Sequence, residues 1–213
     1  MRLRDATERD IPSILALIND YARQNLVLAR TEESLRSCLV DVAVAEVDGE
    51  IVGCSVLSEL GPGLGEIRSL AVRANMNGRG LGRGLIEYHM EQAYGRGFVE
   101  VLALTRRVSL FEKLGFHITR RERFLDKLAA DCKACPLSLC CDEIAVHWIP
   151  PGALAAAREL AGSTAGGTHP ASGDDRGGTV GPGGGTGTGG GGGTGHAAAT
   201  TEKPPLFASL LPT

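Results

Sequence analysis

The chain has 213 residues, of which 43% are hydrophobic, so it is long enough to bury a core without disulfide bonds. Its 22 Lys and Arg residues against 25 Asp and Glu exclude the positive excess that binding to nucleic acid phosphates requires. It contains neither an apolar run long enough to span a membrane nor a signal peptide. We therefore expect a cytoplasmic protein with reduced cysteines and without nucleic acid or membrane partners.

Glycine content divides the chain into two parts. Residues 151–213 contain 18 of the 30 glycines, in runs that extend up to Gly189-Gly190-Gly191-Gly192-Gly193, and almost no aromatic residues. Such a composition cannot bury enough apolar surface to offset the entropy lost on ordering. The sequence therefore predicts one folded domain over residues 1–150 and a disordered glycine-rich tail over residues 151–213.

Hydrophobic periodicity predicts helices and strands in a mixed order along the folded part. The predicted helices cover residues 8–21, 31–39, 81–95 (or 81–97) and 108–114. The predicted strands cover residues 42–47, 51–57, 65–72, 99–104, 116–119 and 143–148. Asp48-Gly49 between the first two strands predicts a hairpin turn, and the whole order predicts a mixed α/β fold. In the strand over residues 65–72, period two predicts one shared face, occupied by Glu66, Arg68, Leu70 and Val72.

A glycine-rich loop separates that strand from the long helix. Residues 77–82 read Asn-Gly-Arg-Gly-Leu-Gly, and Arg83 follows. Glycines at a helix N-terminus let backbone N–H groups converge on an anion, and no Lys-Ser or Lys-Thr pair of a nucleoside-triphosphate loop is present. The loop favours a pyrophosphate-bearing cofactor other than ATP, although a turn used only for chain reversal is the alternative.

Three segments resemble the GNAT family of N-acetyltransferases. They are Leu70-Ala71-Val72, the loop over residues 78–83 with the helix after it, and the Leu-Phe-Glu-Lys-Leu-Gly-Phe motif over residues 110–116. The resemblance spans residues 2–148 and implies the GNAT fold, a mixed central sheet flanked by helices. It also implies acetyl-CoA as the acetyl donor. The acetyl-CoA-binding residues that it predicts are Leu70, Ala71, Val72, Asn77, Gly78, Arg79, Gly80, Leu81, Gly82 and Arg83.

Two residues depart from the family pattern. Asn77 stands where the family usually has Gln or Arg, which weakens one phosphate contact. Phe111 stands where the family commonly has a tyrosine that acts as general acid, so the proton has to come from another group. Ser109 and Thr105 are the nearby hydroxyls, and we take Ser109 as the candidate catalytic acid. Helix capping is the alternative role of both.

A narrower resemblance concerns the acceptor. Gly65-Glu66-Ile67-Arg68, Leu104-Thr105-Arg106 and the cysteine-rich stretch from Asp131 to Glu143 resemble the acetyltransferase domain of short bacterial N-acetylglutamate synthases. This implies acetylation of the α-amino group of L-glutamate, the first step of arginine biosynthesis. The alternatives are another small amine or a protein N-terminus as acceptor, and a non-catalytic regulator that binds acetyl-CoA. The oligomeric state stays open, a homo-oligomer included.

The chemistry assigns further roles near the acceptor. Glu66 is the candidate general base, acting through water, and a salt bridge to Arg68 is its alternative role. A substrate with two carboxylates favours guanidinium groups, so Arg68 and Arg106 are predicted to bind the substrate, and Arg107 could exchange roles with Arg106. A solvated loop arginine is the alternative role of Arg106. Thr105, in the segment Leu104-Thr105-Arg106, is the third predicted substrate-binding residue. The backbone N–H groups around residues 70–72 are predicted to polarise the thioester carbonyl.

The cysteine-rich stretch allows two interpretations. Cys132, Cys135 and Cys141 could hold a structural zinc ion through their thiolates, and Cys141 is the residue that matches the third cysteine of the resembled enzymes. The alternative is a reduced, cysteine-rich loop, because the adjacent Cys140 and Cys141 seldom both bind one tetrahedral ion.

Overall fold

A computed structural model describes residues 1–133, 135–136 and 138–153. The strands are β1 (Arg2–Asp5), β2 (Val42–Val47), β3 (Glu50–Gly61), β4 (Leu64–Val72), β5 (Glu100–Thr105), β6 (His117–Ile118) and β7 (Ile144–Trp148). The helices are α1 (Ile11–Ala22), α2 (Glu32–Arg36), α3 (Leu81–Gly95), α4 (Val108–Glu112) and α5 (Leu125–Lys127), and a π-turn (Leu128–Cys132) continues α5. Short 3-10 turns occupy Glu8–Asp10, Leu39–Asp41, Ala74–Met76, Arg121–Arg123 and Ser138–Cys140.

The seven strands form one mixed sheet in the order β1-β2-β3-β4-β5-β7-β6. All neighbours are antiparallel except β4 and β5. The mixed α/β fold and every predicted helix and strand are confirmed, with ends that shift by a few residues. Asp48 and Gly49 both have positive φ, 51° and 80°, as a two-residue hairpin turn between β2 and β3 requires.

The core lies on both faces of the sheet. On one face, Ile14 and Ile18 of α1 pack with Val44 and Val56 of the sheet. On the other face, α3 contributes side chains that pack against β2 and β3. Because each helix buries one apolar stripe, α1 and α3 cover opposite sides of the sheet.

A bulge interrupts β4. In its pairing with β3, Arg68 lies opposite Val56 and Ala71 lies opposite Cys54, so β4 uses one more residue than β3 over this stretch. Ser69 inside the bulge has a φ of 52°, which is unusual for a residue other than glycine. The extra residue reverses the alternation of side chains for the rest of the strand.

The prediction that four residues of β4 share one face is therefore wrong for two of them. Leu70 and Val72 pack with the apolar cluster on the α3 side of the sheet. Arg68 lies on the α1 side, because it is directly opposite Val56, and Glu66 shares that side two residues earlier. Strict period two fails here because it assumes a strand without a bulge.

β4 and β5 separate after a short paired stretch. Their parallel pairing joins residues 64–66 to residues 100–102 and does not continue within the described chain. A V-shaped gap therefore opens between the second half of β4 and the end of β5.

β1 was not predicted, because four residues at the chain start carry too little periodicity. The predicted disordered tail lies outside the described residues from position 154 onward. The chain divides into Met1–Ala161 and Gly162–Thr213, and the described residues belong to the first unit. Within them, every helix is too short or too polar to cross a membrane.

Candidate active site

Two adjoining cavities lie at this end of the sheet, and the larger one occupies the gap between β4 and β5. The larger has a volume of about 290 Å³ and the smaller about 90 Å³. Both are lined by residues 26–28 after α1, and by Leu104, Arg106, Lys127 and Glu143. The larger one extends along residues 66–70 of β4 and to Phe111, and the smaller one extends toward the cysteine-rich stretch.

A network of four charged side chains borders the two cavities, with Glu66, Arg68 and Lys127 at the larger one and Lys127 and Asp131 at the smaller one. Glu66 is 2% exposed, and its Oε1 lies 2.6 Å from the Lys127 Nζ. Lys127 Nζ also contacts Asp131 Oδ2 at 2.8 Å, and Arg68 Nη1 contacts the same oxygen at 2.9 Å. Arg68 Nη1 lies 3.7 Å from Glu66 Oε2, so the two predicted site residues do meet.

The network balances two carboxylates with two cations. Burial disfavours ionisation of Asp131, but the hydrogen bond from Lys127 and the positive charge of Arg68 lower the pKa of this carboxyl below its usual value. Glu66 Oε2 has no hydrogen-bond partner within the described residues. Glu66 thus sits beside the cavity as an anion held by Lys127, and Arg68 is already engaged by Asp131.

Arg106 lies at the cavity mouth with its guanidinium group partly occupied. Its Nε lies 2.6 Å from Asp142 Oδ1, and its Nη1 donates to the Leu26 carbonyl oxygen at 3.0 Å. Arg107 lines the larger cavity next to it. Both arginines predicted to recognise carboxylates at this end of β5 therefore border the cavity.

Glu143 is a half-buried carboxylate that the sequence did not single out. It lines both cavities just before β7. Burial raises the pKa of the Glu143 carboxyl, and the positive charges of Arg106 and Lys127 oppose this shift.

The predicted hydroxyl groups occupy different environments. Ser109 is exposed on α4 and is not among the residues that line either cavity. Thr105 lines the larger cavity, but its Oγ1 accepts a hydrogen bond from the Arg107 backbone N–H at 2.9 Å, so it caps the turn into α4. Tyr21 contributes a phenol to the same cavity, and its hydroxyl donates to the Val72 carbonyl oxygen.

Phe111 is a core residue that packs against another aromatic ring. It is 3% exposed and meets the Phe116 ring edge to face, with centroids 5.1 Å apart. Its ring also lines the larger cavity.

The glycine loop forms the N-terminus of α3, as predicted. Gly78 and Gly80 both have a φ of 79°, and Gly80 is the residue before the helix. A Cβ atom at either position would project into open space. The first-turn N–H groups of α3 have no partner within the helix, as at any helix start, and a helix start of this kind is able to bind an anion. Leu81 is buried, whereas Asn77 and Arg79 are exposed and Arg83 pairs with Glu87 at 2.9 Å.

The last three residues of β4, Leu70, Ala71 and Val72, lie along the chain between the larger cavity and the glycine loop. Leu70 lines the larger cavity beside the bulge, Ala71 is buried in the core, and the Val72 carbonyl accepts the Tyr21 hydroxyl. Because β5 has already separated from β4, this side of residues 67–72 has no strand partner in the described chain.

The cysteines line the smaller cavity but do not form a metal site. Cys132, Cys135 and Cys141 all border it. Among the residues that the structure describes, no group of three His, Cys, Asp or Glu side chains could hold a metal ion. Burial raises the pKa of the Cys132 thiol, which opposes the thiolate that zinc requires. The residues therefore do not fit the predicted zinc ion.

Four charged cavity residues were missed by sequence reasoning: Arg121, Lys127, Asp131 and Glu143. Lys127 and Asp131 are four residues apart on α5 and its π-turn, a spacing that places two side chains on one helix face. That spacing was the available signal, but the partner Glu66 lies on a distant strand.

Comparison with known proteins identifies relatives of this chain. Residues 7–116 match the Acetyltransferase (GNAT) family. A Chlorobaculum tepidum protein named as an uncharacterized N-acetyltransferase is 33% identical over 144 residues, which are 68% of this chain and 93% of that protein. The amino-acid acetyltransferase of Mycobacterium tuberculosis is 32% identical over 117 residues, which are 54% of this chain and 67% of that protein.

A solved structure adds a ligand-bound neighbour. The N-acetylglutamate synthase of Neisseria gonorrhoeae, complexed with coenzyme A and N-acetyl-glutamate, superposes with a TM-score of 0.61 at 26% identity. The superposition covers 70% of this chain and 35% of that one. The similarity to that enzyme thus concerns about a third of its length.

Proposed function

The chain belongs to the GNAT acetyltransferase family and is an acetyl-CoA-dependent N-acetyltransferase, and we propose that its acceptor is the α-amino group of L-glutamate. Two kinds of relative support this proposal: amino-acid acetyltransferases, and an N-acetylglutamate synthase bound to coenzyme A and N-acetyl-glutamate. The observation that carries it is the cavity between β4 and β5, where cations and carboxylates line one acceptor-sized space. The reaction would be the first step of arginine biosynthesis.

The donor side is assigned to the backbone. We propose that the pyrophosphate of acetyl-CoA binds the N–H groups at the start of α3, and that Gly78 and Gly80 allow the close approach. The pantetheine arm would lie along the open side of β4 as an added strand does. Backbone N–H groups around residues 70–72 would then polarise the thioester carbonyl.

The acceptor side is assigned to side chains. The amine has to lose a proton before its nitrogen attacks the thioester carbon; the C–N bond forms, the C–S bond breaks, and the leaving thiolate takes up a proton. Glu66 remains the predicted general base, and Lys127 holds it in place at 2.6 Å. Phe111 has no hydroxyl, so the proton for the thiolate comes from the attacking nitrogen or from another group.

The test is a screen of the twenty amino acids as acceptors with acetyl-CoA, followed by thiol release. We expect L-glutamate to be acetylated far better than glutamine, whose neutral amide cannot pair with a guanidinium group in the same way. Equal activity on lysine or on a peptide N-terminus would show that the acceptor is a different amine.

Arg106→Ala provides the second part of the test. It should raise the KM for glutamate at least about tenfold and leave the KM for acetyl-CoA nearly unchanged, since a charge-assisted pair contributes about 1.5 to 3 kcal/mol. Arg23→Ala is the matched control, because Arg23 is also ion-paired, at 2.9 Å from Asp20, but lines neither cavity. An equal rise of both KM values would contradict the assignment.

A further inference from the structure

Glu143 differs from the other carboxylates of the cavity wall. Glu66 is held by Lys127 at 2.6 Å, and Asp131 is held by Lys127 at 2.8 Å and by Arg68 at 2.9 Å. Glu143 lines both cavities, yet no hydrogen bond or ion pair joins its carboxylate to another side chain in the described part of the chain. It is a carboxyl group in a cavity wall that no cationic side chain of the described residues contacts.

The charged groups around Glu143 do not compensate it by contact. Arg106, just after β5, and Lys127, on α5, contribute positive charge near Glu143. Glu66 and Asp142 contribute negative charge near it. Arg106 directs its Nε to Asp142, and Lys127 is shared between Glu66 and Asp131. A half-buried carboxylate that lacks a partner is costly, so a cation that enters the cavity gains by binding it.

The sheet register places Glu143 next to Arg106. Thr105, the last residue of β5, pairs with Ile144, the first residue of β7. Arg106 and Glu143 are the next residues beyond this antiparallel pair, so an anion and a guanidinium group stand side by side at the cavity. A free α-amino acid carries an ammonium group and a carboxylate on one carbon, which is the complementary arrangement.

We infer that Glu143 binds the ammonium group of the acceptor while Arg106 binds its α-carboxylate, so that the site selects free α-amino acids over simple amines and peptide N-termini. This inference rests on the proposed function, since it names the groups that hold the proposed acceptor. Peptide N-termini lack the α-carboxylate on the reacting residue, and simple amines lack it altogether. Arg106 would exchange Asp142 for the ligand carboxylate when the acceptor binds.

The experiment compares Glu143→Gln with the wild-type full chain by calorimetry, using L-glutamate and N-acetyl-L-glutamate as ligands. The second ligand has the same carboxylates but no ammonium group. We expect the variant to bind L-glutamate at least about tenfold more weakly, the effect of losing one charge-assisted hydrogen bond, and N-acetyl-L-glutamate within about twofold of wild type. Glu112→Gln, at an exposed position on α4 outside both cavities, should leave both affinities unchanged.

Equal weakening of both ligands, or no weakening of either, would overturn the inference. Glu143→Asp keeps the charge and should retain part of the discrimination, and it serves as the test if Glu143→Gln does not fold. If the wild type acetylates a different amine, the proposed acceptor is wrong, and the same comparison on that amine and its acetylated product still tests Glu143. The failure of one proposal is thereby distinguished from the failure of the other.

Discussion

Glu66 and Lys127 are two buried charges that depend on each other. Glu66 is 2% exposed and Lys127 is 6% exposed, with 2.6 Å between the carboxylate and the ammonium group. Taking both out of water costs several kcal/mol per ion, and the pair is tolerable only because each compensates the other. Removing Lys127 leaves Glu66 buried with only the more distant Arg68 guanidinium, 3.7 Å from its Oε2, as a compensating charge.

Lys127→Met should therefore lower the free energy of unfolding by about 3 to 5 kcal/mol, measured by urea denaturation at pH 7. Lys113→Met is the matched control, because Lys113 is exposed just after α4, and it should change stability by less than about 0.5 kcal/mol. The double variant Glu66→Gln with Lys127→Met should recover part of the loss. A loss below about 1 kcal/mol in the single variant would show that the pair is not coupled in this way.

Helix α3 carries a buried imidazole, His89, which lies near the Ser55 backbone and the Gln92 side chain. His89 is fully buried, and neither ring nitrogen has a hydrogen-bond partner within the described chain. Burial lowers the pKa of His89 from 6.5 to about 4. Between these pH values the ring is therefore neutral in the folded state and protonated in the unfolded state. The stabilisation from a neutral His89 is therefore complete at pH values above the pKa of the unfolded state. It is lost as the pH falls toward the pKa of the folded state.

Between pH 6.5 and pH 4, the His89 contribution to the unfolding free energy should fall by on the order of 3 kcal/mol. His89→Leu has a similar volume and cannot titrate, so its stability should decline less over the same range. Thermal or urea unfolding of both proteins across this range gives the difference. Parallel curves for the two proteins would refute a buried neutral His89.

The start of α3 supports a prediction on the donor. Gly80→Val should weaken acetyl-CoA binding at least about tenfold by calorimetry, because a branched side chain at a φ of 79° strains the loop and fills the space of the phosphate. Gly49→Val is the matched control, since Gly49 has a φ of 80° and open space around it but lies at the hairpin tip. It should lose stability without losing affinity. Equal affinity of Gly80→Val and wild type for acetyl-CoA would show that the phosphate does not bind at this loop.

At the scale of the whole molecule, the glycine-rich residues should be dispensable for folding and chemistry. A chain that ends at Ala161 keeps every described element and removes most of the glycine-rich stretch. Its melting temperature should lie within about 2 °C of the full chain, and its acetyl-CoA affinity should be the same. A drop of about 10 °C or more, measured by calorimetric melting of both chains, would show that the removed residues stabilise the domain.

The features that depend only on residues adjacent in the sequence could be predicted without a structure. Period 3.6 and period two located the helices and strands, Asp48-Gly49 located the hairpin, and the glycines of residues 78–82 marked the start of α3. Each of these follows from the local backbone preferences and side-chain spacing of a few consecutive residues. The family resemblance rests on the same short segments, and for that reason the fold could be predicted without coordinates.

The arrangement of the site residues, which come from segments far apart in the sequence, became known only from the tertiary structure. The bulge at Ser69 turns Leu70 and Val72 away from Arg68, because strand pairing and not local period sets the register. Lys127 reaches the site from a distant helix, and the described thiols of the cysteine-rich stretch border a cavity without forming a group that could hold a metal ion. Charge compensation, burial and metal coordination are properties of groups that the chain brings together from far apart, and spacing along the sequence carries little information about them.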